Sequence, residues 1–168
     1  MAQNTKTEGA IKAGDGHFTF DLAKLQAIDA GTGYSTSHGP VVEGERIQVG
    51  LIRMPRGTGA RPHTHPNEQW MYVLEGTLDV EVRAVGRRGA GAPPSEASLE
   101  EVVGGVKKRV GPGSLVYIPA NAVHCAMATA EGDAVFLTAK DMSHGIVGTA
   151  VDTSISAAAY APGFEPKK

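Results

Sequence analysis

One cysteine, Cys125, is all that 168 residues provide, which excludes an intramolecular disulfide framework and fits a reducing compartment. Long apolar runs are missing as well, since no stretch approaches the roughly 18 residues needed to cross a bilayer. The opening segment, Met1 to Gly16, is polar and charged and has no apolar run of the kind a signal peptide carries. A soluble, cytoplasmic protein is therefore the expectation. Charge of one sign is lacking too. Lys and Arg number 16 against 18 Asp and Glu, for a formal net charge of -2. No clustered basic footprint suggests nucleic acid or a membrane surface, so the expected partner is a small molecule.

What the chain has in quantity is punctuation: 22 glycines and 10 prolines, spread without a repeat, as in a many-turned β protein. The length suits one domain with a real core. Residues 1 to 16 carry little apolar content and read as a loose arm. Leu22, Leu25 and Ile28 behind Asp21 suggest a short helix or an edge segment, and Gly31 to Pro40 is turn-rich. From Val41 onward short strands alternate with turns. Expected strands are Arg46–Met54, Gln69–Leu74, Thr77–Val85, Val102–Val110, Ser114–Ile118, His124–Thr129 and Ala134–Lys140. In Thr77–Val85, Leu78, Val80 and Val82 share one face, and Glu75-Gly76 reads as a hairpin turn before it. Residues 86–98 hold no apolar side chain larger than Ala or Pro and read as a surface loop. Ala157 to Ala159 suggests a frayed helical turn. Strands at this spacing indicate an all-β barrel or sandwich, with residues 1–40 as N-terminal arm, 41–140 as barrel and 141–168 as a C-terminal tail packing on it.

His63 and His65 stand two apart, which on a strand puts both imidazoles on one face. Gln69 opens the strand that follows, and His124 begins a strand after a proline turn. A curled sheet can bring three imidazoles and an amide oxygen to one point inside a barrel. Such a mixed nitrogen and oxygen shell suits a divalent transition metal. Gly57, five residues, His63-Thr64-His65, three residues, Gln69, six residues and Gly76 resemble the first cupin motif. Gly113, five residues, Pro119-Ala120-Asn121, two residues and His124 are similar to the second. The resemblance spans residues 57 to 124 and implies a cupin double-stranded β-helix, or jelly-roll barrel, of the small single-domain kind. It also implies one metal on His63, His65, Gln69 and His124, with Fe(II) favoured over Zn(II), Ni(II) or Mn(II), and a homodimer.

Two positions depart from the motifs. Asn121 replaces a glycine, and Asn also tolerates a left-handed turn. Gln69 replaces a glutamate. Glu68 lies next door, but its distance to Gly76 is one residue too long, and adjacent strand residues face opposite ways. A neutral amide leaves the metal its full charge, which makes it a stronger Lewis acid.

The same parity sends Trp70 and Tyr72 outward, to packing or a dimer contact. It puts Met71 and Val73 beside Gln69 and puts Ala126 and Ala128 beside His124, an apolar pocket with one small-residue wall. Cys125 faces away from the metal as a packed thiol. His17, His38 and His144 read as solvated loop residues, with His144 a lesser candidate to fold over the barrel mouth. Arg53 and Arg61 are candidates to meet a carboxylate there, although solvated arginine is the default for each. Neither Glu68 nor Tyr117 presents a clear general base.

Three functions compete. A dioxygenase-type oxidoreductase acting on a small carbonyl, enol or carboxylate substrate leads. A redox-neutral lyase, isomerase or cyclase would use the metal as Lewis acid. A non-catalytic small-molecule-binding protein comes last, since no DNA-binding helix-turn-helix is attached.

Overall fold

The computed structural model describes residues 5–83, 105–151 and 159–166. The expected loop at 86–98 lies outside them, as do residues 157 and 158 of the expected helical turn. Strands account for nearly all the regular structure: β1 (Ile11–Lys12), β2 (Ile28–Asp29), β3 (His38–Gly39), β4 (Val41–Glu43), β5 (Ile47–Met54), β6 (Thr58–Gly59), β7 (His63–Thr64), β8 (Gln69–Glu75), β9 (Leu78–Arg83), β10 (Gly105–Val110), β11 (Leu115–Ile118), β12 (Val123–Ala128), β13 (Ala134–Asp141), β14 (Thr149–Ala150) and β15 (Ala159–Tyr160). The short helix or edge segment expected behind Asp21 is a single 3-10 turn, Leu22–Lys24, followed by the edge strand β2. The turn buries no side chain, and Asp21 makes no capping bond to it. Without an apolar face to pack, three residues cannot propagate further.

The strands form two sheets. One runs β1-β4-β5-β13-β8-β11, with β2 and β3 attached, and the other runs β10-β9-β12-β6-β15, with β7 and β14 attached. Their inner faces share one core. Ile52, Met71, Val73 and Phe136 come from the first sheet, and Leu78, Val80, Ala126 and Ala128 from the second. Alternation along β8 follows the period of two, with Gln69, Met71 and Val73 buried between exposed Trp70, Tyr72 and Leu74. This is the all-β architecture that the strand spacing implies, in the jelly-roll form that the cupin resemblance implies.

Glu75-Gly76 is not a hairpin turn. β8 and β9 are consecutive but lie in different sheets, so the chain turns a corner between layers there. Gly76 sits at φ +71, and a Cβ on it would run into the carbonyl oxygen of Asp133. Both the left-handed backbone and the close approach require glycine.

The arm is tied down from Lys6 onward rather than loose. Glu43 on β4 is 1% exposed and accepts hydrogen bonds from the backbone N–H groups of Lys6 (2.7 Å) and Thr7 (2.9 Å). β1 then pairs in parallel with β4, and Ala10 enters the core. A buried carboxylate is costly without donors, and the arm supplies them. Downstream of the last long strand, β14 pairs with β7 and β15 with β6, so two short tail strands extend the second sheet.

Candidate metal centre

Register brings the polar side chains to one end of the space between the sheets. In the first sheet Glu43, Gln48, Lys140, Gln69 and Ile118 are successive cross-strand partners. In the second, His124 pairs with His63 on one side and Val82 on the other. His65 lies just past β7, and its carbonyl accepts the N–H of Asn121 (2.8 Å). Asn121 holds φ +61, the left-handed turn expected where the motif has glycine. That bond joins the two distant motif segments, as the β8–β11 and β7–β12 pairings also do.

His63, His65 and His124 are all buried, and their ring nitrogens include one set of ligand atoms lying within 4.8 Å of one another. Each ring is held the same way. The Nδ1–H of His63 donates to the Arg61 carbonyl (2.7 Å), that of His65 to Asn67 (2.8 Å) and that of His124 to Ala122 (3.0 Å). A carbonyl can only accept, so the proton is on Nδ1 and each Nε2 keeps a lone pair. Burial keeps the rings neutral. It pulls His63 and His65 down to about 4 and His124 to about 2, with neighbouring His and Lys140 charges adding to the effect. Neutral rings oriented by carbonyls are what a metal-ligating imidazole requires.

Gln69 sharpens this. Its Nε2 donates to Thr138 Oγ1 (2.9 Å), and the Thr138 hydroxyl in turn donates to the Trp70 carbonyl (3.1 Å). That relay fixes which end of the amide is oxygen. Oε1 therefore faces the His65 Nε2 at 2.9 Å, lone pair to lone pair with no proton between them. Two donors about 2.1 Å from a common ion and at right angles stand about 3.0 Å apart. The residues present fit a divalent cation, and the donor set is neutral throughout. Glu68 points the other way, exposed, accepting the Tyr117 hydroxyl (2.8 Å).

A cavity of about 80 Å³ opens onto His63, Gln69 and His124. Its apolar wall includes Met71, Ala126, Phe136 and Ile118. On the same measure a water needs about 10–15 Å³, so the space suits a small ligand. Two groups on its wall have no counterpart in the motifs. Tyr34, from the stretch read as turns, packs its ring 4.4 Å from that of His63, and burial raises its phenol above the ordinary range. Lys140 faces inward beyond Thr138, and burial pulls its ammonium down to about 8. Parity along β13 could have found Lys140, because it shares a face with Phe136 and Thr138. Tyr34 had no such signal.

The arginines take other roles. Arg53 points outward to Asp133 (2.9 Å), and Arg61 is buried with its Nη2 on the Gly33 carbonyl (3.0 Å). Neither lines the cavity. Cys125 is half-buried, and burial raises its thiol, which leaves it unreactive. His17, His38 and His144 stand outside the cluster.

The family model for cupins matches residues 32–161. No curated protein matches the chain. Among solved structures, an RmlC-like cupin from Shewanella frigidimarina is similar at 19% identity over 76% of this chain and 92% of its own, with a TM-score of 0.53. The polyketide cyclase RemF from Streptomyces resistomycificus is similar at 18% over 74% and 78%, with a TM-score of 0.54. An oxalate oxidase matches at 18% over 62% of this chain with a TM-score of 0.49, and the chain spans 46% of that protein's length. At such identities the likeness concerns the fold. Among the described residues, no helix is long and apolar enough to cross a membrane.

Proposed function

The chain belongs to the cupin family, and from that premise we propose that it is a metal-dependent enzyme acting on a small oxygenated substrate, of the dioxygenase type. His63, His65, His124 and Gln69 would hold the ion, with Fe(II) favoured and Zn(II), Ni(II) or Mn(II) compatible with the same donors. The observation that carries the reading is the meeting of the Gln69 Oε1 and His65 Nε2 lone pairs, which a cation reconciles. A divalent ion there supplies Lewis acidity toward a carbonyl, enol or carboxylate oxygen, and Fe(II) adds electron transfer toward dioxygen. The chain's own part is to orient three imidazoles through backbone carbonyls, to keep them neutral, and to enclose the substrate behind Met71, Phe136 and Ala126.

Protein purified anaerobically and loaded with Fe(II) is expected to consume oxygen when given some member of a panel of diketones, catechol-like and other enolisable compounds. Absence of uptake across the panel, with turnover by the Zn(II) form under nitrogen, would move the protein to the redox-neutral class. One observation favours that second reading: Tyr34 and Lys140 both line the cavity and can carry a proton.

We also propose that the outer face of the first sheet joins two copies in a homodimer. Trp70, Tyr72, Leu115, Tyr117 and Leu137 stand there exposed on adjoining strands, a contiguous apolar patch of the kind that marks an interface. Sedimentation should show a dimer that Tyr72→Glu with Leu115→Glu converts to monomer, and a monomeric parent protein would remove this proposal.

A further inference from the structure

We infer that Lys140 is the anchor for a carboxylate, so that the substrate of this site is a small carboxylic acid bearing a second oxygen donor for the metal. The inference deepens the metal-site reading and rests on it for the second donor's place.

The argument begins with what surrounds the ammonium. Lys140 sits between Gln48 and Gln69 in the polar cross-strand row. Both amides are committed. Gln48 Nε2 donates to Thr7 Oγ1 (2.6 Å) and Glu43 Oε1 (3.0 Å), while Gln69 is spoken for by Thr138 and the metal position. Glu43, the one carboxylate in the row, is two strands away from Lys140, about 10 Å. Its oxygens already receive Lys6, Thr7 and Gln48. Burial alone would raise the Glu43 pKa, but these bonds outweigh it and hold the carboxyl below its ordinary range. It is a partner of the arm, and no hydrogen bond or ion pair joins it to Lys140.

Among the described residues no Asp or Glu lines the cavity, and the Lys140 ammonium makes no hydrogen bond or ion pair. A half-buried cation on a cavity wall without a counterion is costly, and a divalent ion on four neutral donors leaves the same space more positive still. An anion completes this charge arrangement. Its size is bounded by the cavity of about 80 Å³. Its span is bounded by register, since side chains of directly paired residues start about 5 Å apart, so one small molecule reaches both the metal and the ammonium. A carboxylate suits the donor better than a phosphate. Phosphate sites use several convergent donors, such as an arginine fork or a nest of backbone N–H groups, whereas the cavity has one ammonium and both candidate arginines lie elsewhere.

The test compares the parent protein with Lys140→Met and Lys140→Arg, each loaded with Zn(II), by calorimetric titration. Pyruvate probes metal and anchor together, acetohydroxamic acid probes the metal without a carboxylate for the anchor, and inorganic phosphate probes the competing source of negative charge. Lys140→Met should weaken pyruvate by about tenfold or more, with Lys140→Arg recovering most of it. Zinc stoichiometry and acetohydroxamic acid affinity should stay unchanged in all three proteins. Pyruvate binding that is absent, indifferent to Lys140→Met, or lost in proportion with acetohydroxamic acid overturns the anchor. Phosphate binding tighter than pyruvate, with the same dependence on Lys140, overturns the assignment to carboxylate. The metal-free protein separates the two readings. Acetate should shift the backbone amide resonances of β13 in the parent and not in Lys140→Met, and no shift in the parent removes the anchor. A parent protein that takes up no zinc but shows the acetate shift loses the metal reading and keeps the anchor.

Discussion

At one end of the space between the sheets, Val73, Ala128 and Ala134 are wholly out of water, with Leu78 of β9 beside them. At the other end, Gln69, His124 and Lys140 project from the same strands β8, β12 and β13 on the same inward faces. Backbone geometry is shared, so the contrast lies in side-chain chemistry alone. The apolar end gains stability from area removed from water. At the polar end every buried group needs a partner, and the fold supplies carbonyls to the three imidazoles and Thr138 to Gln69. One end holds the barrel shut and the other is free to be built for chemistry.

Exchanging damage between the ends tests that division. His124→Ala or His63→Ala should abolish stoichiometric metal uptake by elemental analysis while circular dichroism shows a folded barrel. Leu78→Ala at the opposite end should cost about 2–5 kcal/mol in urea denaturation, with the folded fraction still binding metal. Metal retained in His124→Ala would remove the site.

Acid should act on the polar end selectively. Folding holds His63 and His65 down to about 4 and His124 to about 2, chiefly through burial. In the unfolded chain these rings titrate near the ordinary value of about 6.5. Between those values the unfolded state binds more protons than the folded one, so stability rises with pH across that window and is lost as pH falls from about 6.5 through 4. The melting temperature of the metal-free protein should drop over that range. His63→Ala should flatten the drop, and bound metal should oppose it until protons compete for the same lone pairs. A melting temperature independent of pH from 6.5 to 4 would contradict neutral buried rings.

Sequence reasoning reached the apolar end and the clustered polar side chains by the same route. Period-two alternation separates Gln69, Met71 and Val73 from Trp70 and Tyr72, and it separates Gln69 from the tempting Glu68. Motif spacing gathers His63, His65 and His124 because each depends on distance along the chain. What depends on partners across the chain was not legible. Glu75-Gly76 has the composition of a hairpin, and only the docking of two sheets makes it a corner. The arm is anchored by a carboxylate, Glu43, 36 and 37 residues away from its donors. Lys140 has the inward parity of Phe136 and Thr138, but near a strand end a lysine reads as solvated, and only its pairing with Gln48 and Gln69 places it in the polar row. The two arginines weighed as candidates for the mouth are drawn off by Asp133 and by the Gly33 carbonyl.

The smallest expected effect separates the shape of the polar end from its orientation. Thr138 touches no candidate ligand atom. It receives the Gln69 Nε2 and shares its own proton with the Trp70 carbonyl, and so decides that Oε1 points at His65 Nε2. Thr138→Val keeps the volume and removes the relay, leaving the amide able to turn its NH₂ toward His65 Nε2, where it would donate a hydrogen bond and occupy the lone pair. Metal affinity should then fall by about tenfold, within the range expected when the partner of a ligand is lost. Thr138→Ser, which retains the hydroxyl, should restore it. A loss in Thr138→Val that Thr138→Ser does not repair would mean that Thr138 acts by packing against Met71 and Gly50. Equal affinity in all three proteins would mean that Gln69 reaches the metal without guidance, or not at all.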